Sequence, residues 1–445
     1  MQKSEEPAVR GSVSVKAALL LGLALFHVHN FVVYDPGWGY DGAAHILLVR
    51  LFSESMEFSP LGVYGGTNPP LYYVLAGRIL TSLDSLKAVQ AFSLVLFATS
   101  LIVIWIALRR LCGDSPLRWP ILVFFALNPL HLAYAYMVFN YSLAQTIALC
   151  FVCALMVLAG RGGLARPAVA AAALGLSAAA AVWTSLTNLA LLPIGAAFFS
   201  CYPSLSKRTR VLATAVFLGV SLTTIAPYAV LKNLEEGCSF CTRNRPATAR
   251  SFSEVYPARY YYWMSLRPFH QPHVPHYWKD GMWPVLYQTY FSDYFNYLVG
   301  PRYALTGKAP GLVTVGPHST DALRTTEFTL LNYLGLPLAG AMLAALAMSG
   351  WNAWRYFRRG QADLFVDVIV CLATLAYFAQ FLAYIHRYPD YVNIHAGYLL
   401  PTTVPLWIQV GRRLAPGPGT TTTARILFAC LALYSTLAGA TFFLR

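Results

Sequence analysis

Apolar runs long enough to cross a bilayer recur from one end of this chain to the other, the pattern of a protein whose main solvent is lipid. They lie near 14–33, 87–108, 119–137, 142–159, 167–182, 185–201, 211–231, 326–348, 364–385, 395–411 and 425–444. A helix of about 20 apolar residues spans the ~30 Å of hydrocarbon. The expectation is an all-α polytopic membrane protein with about eleven transmembrane helices, forming a single membrane-embedded domain over 1–445. Within it, 167–201 reads either as two short helices or as one long broken one. Only 11% of the residues are charged, against about 25% in soluble domains.

The formal net charge of +14 raises nucleic acid as a partner, but the placement of the charge argues against it. With a cytoplasmic N-terminus, the inner segments hold Lys3, Arg10, Lys16, Arg109, Arg110, Arg118, Arg161, Arg166, Lys207, Arg208, Arg210, Arg355, Arg358, Arg359, Arg412, Arg413 and Arg425. The short outer segments hold Arg50, Arg78, Lys87 and Arg387. That asymmetry follows the positive-inside rule, and the natural partners of the inner cations are anionic lipid headgroups. The first run exceeds a signal h-region and lacks a small-residue cleavage site, so it reads as a retained signal-anchor. Cys112, Cys150, Cys153, Cys201, Cys371 and Cys430 fall in or beside spans as small apolar fillers. Cys238 and Cys241 fall on the outer side, either bridged or as free thiols.

Two outer segments are too long to be turns, 34–86 and 232–325. Both are rich in Tyr, Trp and Pro, which argues for order over the outer face of the bundle rather than disorder. In the first, "GAAHILLVRLFSES" sets Ile46, Val49 and Leu51–Phe52 against His45, Arg50, Ser53 and Glu54, an amphipathic interfacial helix. Asn68-Pro69-Pro70 then opens a second juxtamembrane helix from Leu71. "APGPGTTTT", 415–423, is a linker before the last span.

The segment "YDPGWGYDGAAHILLVR", 34–50, concentrates chemistry directly after the first span. Asp35, beside Pro36 and Gly37, is ordinary turn chemistry. Asp41 opens a helix and shares a face with His45 at i+4, so it is either an N-cap or a general base between Trp38 and Tyr40. "FHQPHVPHYW" carries His270, His273 and His276, but interleaved prolines break the face that metal ligation needs.

"YDGAAHILLVRLFSE" followed by "NPPLYYVLAG" resembles the first extracytoplasmic loop of GT-C glycosyltransferases. These are polyprenyl-phosphate-sugar-dependent enzymes related to protein O-mannosyltransferases and lipid A aminoarabinose transferases. Three further stretches match in the family's order: "NPLHLAYAYMVFNYSLAQ" with Asn140, "YFSDYFNY" with Asp293, and "IHAGYLLPTTVPL" with His395 and Tyr398. The resemblance implies a GT-C-like bundle with two long extracytoplasmic loops that hold juxtamembrane helices. It also implies inverting transfer of a sugar from a polyprenyl-phosphate donor to a hydroxyl on a protein, lipid or glycan acceptor. Asp41 matches the family's acid and would take the acceptor proton. His45, Arg50, Tyr72, Tyr73, Asn140, Asp293, Arg387, His395 and Tyr398 would contact substrate. Arg50, Arg78, Arg387 and His395 are the candidates to stabilise the leaving phosphate; snorkelling equally explains Arg50 and Arg78.

One departure stands out. Many relatives have Asp-Glu where this chain has Asp41-Gly42. A divalent cation remains possible, but bridging by paired acids has lost one partner. The reaction side is the ER lumen in a eukaryote or the periplasmic face of the inner or plasma membrane in a bacterium. Two other classes compete: a multi-span transporter or flippase, and a non-catalytic scaffold of the same architecture. Against a transporter, the span interiors carry few charges, with Asp367 near a cytoplasmic end and Asn188 as the exceptions.

Overall fold

In the computed structural model the described residues are 6–37, 42–55, 68–160, 163–237, 239–240, 258–270, 281–292, 322–387, 396–414 and 421–443. Among them there is no strand; the helices are α1 Glu6–Val33, α2 Gly42–Glu54, α3 Leu71–Leu83, α4 Leu86–Leu111, α5 Arg118–Leu127, α6 Pro129–Tyr136, α7 Asn140–Gly160, α8 Pro167–Val182, α9 Leu191–Cys201, α10 Lys207–Glu236, α11 Arg267–His270, α12 Met282–Phe291, α13 Ala322–Arg359, α14 Phe365–Arg387, α15 Leu400–Arg413 and α16 Thr421–Thr441. Seven of these contain stretches long and apolar enough to cross a membrane, in α1, α4, α7, α10, α13, α14 and α16, and shorter apolar helices accompany them. The chain is an all-α, multi-pass membrane protein. Region 167–201 resolves into two helices, α8 and α9, separated by the 3-10 turn Leu186–Ala190.

The run 119–137 breaks at Asn128-Pro129. Proline has no N–H and is favoured in a first turn, so the second half restarts as α6. Asn128 mends the break. Its Oδ1 accepts from Leu130 N and His131 N at 3.1 and 3.4 Å, and its Nδ2 donates to the Tyr290 carbonyl at 2.8 Å.

At the centre runs α15, in which every residue from Leu400 to Gly411 is buried. Such a helix has no lipid face to serve. It packs on α4, α5, α7, α13 and α14. At its far end Arg412 and Arg413 close on Asp367, in the first turn of α14, whose carboxylate is 2% exposed. Arg412 Nη1 lies 3.3 Å from Asp367 Oδ2, Arg413 pairs with Asp367 Oδ1, and Arg413 also reaches Ser349 of α13 at 3.4 Å. Three helices are thus pinned at the arginine-rich end of the bundle.

At the opposite end, which carries α2 and α3, Lys87 caps α1. Its Nζ donates to the carbonyls of Phe31 and Tyr34 at 2.7 and 2.6 Å, where the helix dipole favours a cation. Gln90 Nε2 joins the same end, bonding Tyr34 O and Tyr136 O at 3.0 and 2.8 Å. Elsewhere α1 is the least buried of the long helices.

The second loop does more than lie over the bundle face as expected. Its helix α12 enters the bundle: the Tyr290 ring packs on Phe124 of α5, Tyr434 Oη of α16 donates to Phe291 O at 2.6 Å, and Ser292 Oγ donates to Asn332 Oδ1 of α13 at 2.8 Å.

Asp367→Asn keeps the side chain's shape but leaves two partly buried guanidinium groups without their counter-charge. The expected cost is about 2–4 kcal/mol. Thermal unfolding of the purified protein measures it, and adding Arg413→Gln recovers part of the loss if the ion pair is its source.

Candidate functional site

The site is built on the α2–α3 hairpin. Helix α2 buries Gly42, His45, Leu48, Val49 and Phe52, the i, i+3, i+7 stripe of one face. His45 therefore stands on the packed face, not with Arg50, Ser53 and Glu54 as the sequence pattern predicts. Arg50 is exposed, as is Arg78 on α3. The two helices meet backbone to backbone at Gly77, where a Cβ would lie 2.8–2.9 Å from Phe52 C and O. Thr81 Oγ1 bonds Ser53 O at 3.2 Å beside that contact.

His45 Nδ1 lies 2.7 Å from Tyr73 Oη. Asn68 Nδ2 donates to the same hydroxyl at 3.3 Å. Burial pushes the His45 imidazole from its ordinary 6.5 down to about 3, so it stays neutral at physiological pH. It serves as a hydrogen-bonding ring, not as a cation for phosphate. Tyr72 is also fully buried.

From His45 a continuous line of rings crosses the end of the bundle. His45 meets Phe139 edge-on at 4.4 Å, and Phe139 meets Tyr141 at 4.7 Å. Tyr141 meets Tyr398 at 5.5 Å and Tyr398 meets Tyr384 of α14 at 5.0 Å. Tyr398 is held in the 3-10 turn Ala396–Leu399 by Gln145 Nε2, which bonds Gly397 O at 2.7 Å, and by Thr289 Oγ1, which accepts from Ala396 N at 2.8 Å.

Asn140 starts α7, as its sequence context predicts. Its Nδ2 donates to Thr184 O at 3.1 Å, while Leu71 N at the start of α3 donates to the adjacent Trp183 O at 3.0 Å. Neighbouring carbonyls thus tie α3 and α7 to the end of α8. Asn140 Oδ1 is buried and has no partner among the described residues, so it can accept a hydrogen bond from a bound hydroxyl or water.

Five of the sequence-predicted residues are therefore brought to one end of the bundle in packed contact: His45, Tyr72, Tyr73, Asn140 and Tyr398. Arg50 lies on the other side of α2 from His45. Asp41, Asp293 and His395 lie outside the described residues, as do Trp38, Tyr40, His273, His276, Cys238 and Cys241. For Arg387 only the backbone, at the end of α14, is described. Among the described residues no three His, Cys, Asp or Glu side chains stand together as a metal group. Phe139, Tyr141 and Tyr384 join the line without having been singled out by sequence; the aromatic density of "YAYMVFNYS" was the signal for the first two, and Tyr384 had none.

Set against known proteins, the chain is similar to the crystal structure of ArnT from Cupriavidus metallidurans in the apo state. That likeness has a TM-score of 0.41 and 16% identity, over 92% of this chain and 78% of that one. No protein-family model and no curated protein matches the chain.

The structure gives a physical reason for glycine at 42. A Cβ there would lie 2.8 Å from the Gly37 carbonyl oxygen. Gly37 is fixed in turn by Asp35, whose Oδ1 accepts from Gly37 N at 2.7 Å. The turn that follows α1 thus occupies the space a second carboxylate would need.

Two outcomes follow from this packing. Gly42→Glu must push the 35–37 turn aside and is expected to cost about 1–3 kcal/mol, read as lowered thermal stability. Acidification gives the second. His45 binds its proton in the unfolded chain near pH 6.5 and in the folded one only near 3, so its contribution to stability is lost as pH falls between those values, by at most ~1.4 kcal/mol per unit. Wild type should lose more thermal stability than His45→Gln on going from pH 7 to 4.5; equal losses refute the neutral buried ring.

Proposed function

We propose that this protein is an integral membrane glycosyltransferase. It moves a sugar from a polyprenyl-phosphate donor to a hydroxyl of a protein, lipid or glycan acceptor. The transfer takes place at the α2–α3 end of the bundle, on the extracytoplasmic or lumenal side, with the N-terminus in the cytoplasm. The single observation that carries the reading is convergence. Residues from four separated stretches that resemble GT-C motifs, in the 40s, the 70s, around 140 and at 398, are linked through one set of ring and hydrogen-bond contacts.

In this reading Asp41, one residue before the start of α2, takes the acceptor's proton as the acceptor oxygen attacks the anomeric carbon. The lipid phosphate leaves from the opposite face with the bonding electrons. The neutral His45–Tyr73 pair and the aromatic line supply flat apolar surface and hydroxyls, which suits a sugar's C–H faces and OH edges. Asn140 Oδ1 supplies a free acceptor. Arg50, Arg78, Arg387 and His395 are the cations available to the leaving phosphate. Asp293 would act from the second loop.

The test is sugar transfer in proteoliposomes supplied with radiolabelled polyprenyl-phosphate sugars. Wild type should transfer label, and Asp41→Asn should lower turnover by about 10²–10⁴-fold, the usual contribution of a general base. Unchanged turnover in Asp41→Asn removes the assigned base. Flux of the labelled donor across sealed vesicles without any transfer would replace the enzyme reading with a transporter.

A further inference from the structure

We propose that residues 262–266 form an apolar finger inserted among the acyl chains of the bilayer. Tyr262, Trp263, Met264 and Leu266 are 55–72% exposed, an unusual density for a segment outside the long spans. Between Arg259 and Arg267 the sequence YYYWMSL carries no charge. In water such a patch costs about 25 cal/mol for each Å² left uncovered, and contiguous patches of this kind mark a contact with a partner or a membrane.

The depth of the finger identifies its partner. The 3-10 turn Ala258–Tyr261 leads into it, and Tyr261 O accepts from Trp283 Nε1 at 2.8 Å. Gly281, at φ +82°, lies so close to the Trp263 carbonyl that a Cβ there would collide with it. The finger's base is therefore fixed to 281–283. Trp283 in turn stacks on Phe378 of α14, with ring centroids 5.8 Å apart. Phe378 is nine residues before the end of α14 at Arg387, about 13 Å along the helix axis. It lies within the stretch of α14 that is long and apolar enough to cross a membrane. Leu375 and Leu382, on either side of Phe378 along the helix, are exposed apolar residues of the same span. The finger thus continues a lipid-facing surface.

The flanks fit that depth. Two of the amides that non-helical backbone would leave open are satisfied locally, since Tyr262 N and Trp263 N both donate to Arg259 O at 3.2 and 2.7 Å. Tyr262 and Trp263 are residue types enriched at the edge of the hydrocarbon, and arginines at both ends can reach headgroups along their aliphatic stems. This inference concerns lipid contact alone and stands whether or not sugar transfer is the activity.

The experiment is fluorescence quenching of the full chain in phosphatidylcholine proteoliposomes, with either acyl-brominated lipid or aqueous iodide as quencher. The chain has ten tryptophans, so the Trp263 signal is the difference between wild type and Trp263→Phe. That component should be quenched by brominated lipid and shielded from iodide. Leu266→Trp in the Trp263→Phe background should restore a component with the same behaviour, which guards against misfolding of the first variant. Quenching by iodide alone places the finger in water and overturns the proposal. Quenching by neither means that a second copy or another protein covers it, and overturns it equally.

Discussion

Hydrocarbon offers no hydrogen bonds, so every interruption of a helix at membrane depth must be repaired by the protein itself. This chain makes the repairs with side-chain amides and hydroxyls. Asn128 bridges the α5–α6 break and grips Tyr290 O. Asn188 Nδ2 holds the carbonyls of Ala144 and Ala181 while its Oδ1 accepts from Tyr377 of α14 at 2.9 Å. Gln90 and Gln145 do the same at the ends of α6 and of the Ala396–Leu399 turn. These bonds join segments far apart in sequence, so the same groups that make the breaks tolerable also fix how the broken pieces meet. The aromatic line from His45 to Tyr384 passes through two such breaks, after α6 at Phe139 and in the Ala396–Leu399 turn at Tyr398.

Because the repairs converge at the α2–α3 end, the two ends of the bundle differ in kind. One end is locked by charge, with a buried aspartate between two arginines. The other is held by neutral amides, hydroxyls and rings, together with the Lys87 cap on α1. A reaction that generates an anion is better accommodated where cations remain exposed, as Arg50 and Arg78 do, than where arginines are already paired.

Most of the architecture was legible in the sequence because length and hydropathy alone define a span. The helix start at Asn140 was legible too; the break of the 119–137 run at Asn128-Pro129 was not, because hydropathy continues unbroken across it. Helix α12 was not: ten residues with an internal proline at 284 look like loop, and only the bonds from α6, α13 and α16 give it a place among the spans. Nor was the face of His45. Counting Ile46 and Leu51 as the apolar side seemed natural, yet the packed stripe runs through Gly42, His45, Leu48, Val49 and Phe52, with Ile46 and Leu51 only half-buried. A histidine that packs as a neutral ring gives no sign in the sequence that it has left the polar side. The reason for Gly42 was equally hidden, because the obstruction comes from Gly37, held by Asp35.

The first span also carries a timing consequence. Asn30 of α1 is fully buried and donates to the carbonyl of Phe442, 412 residues later, at 2.9 Å. At a synthesis rate of ~5–20 residues per second, the amide emerges roughly 20–80 s before its acceptor exists. During that interval a polar group in mid-assembly has to be sheltered by something other than its final partner. The contact between α1 and α16 can therefore form only after the helices between them have been made.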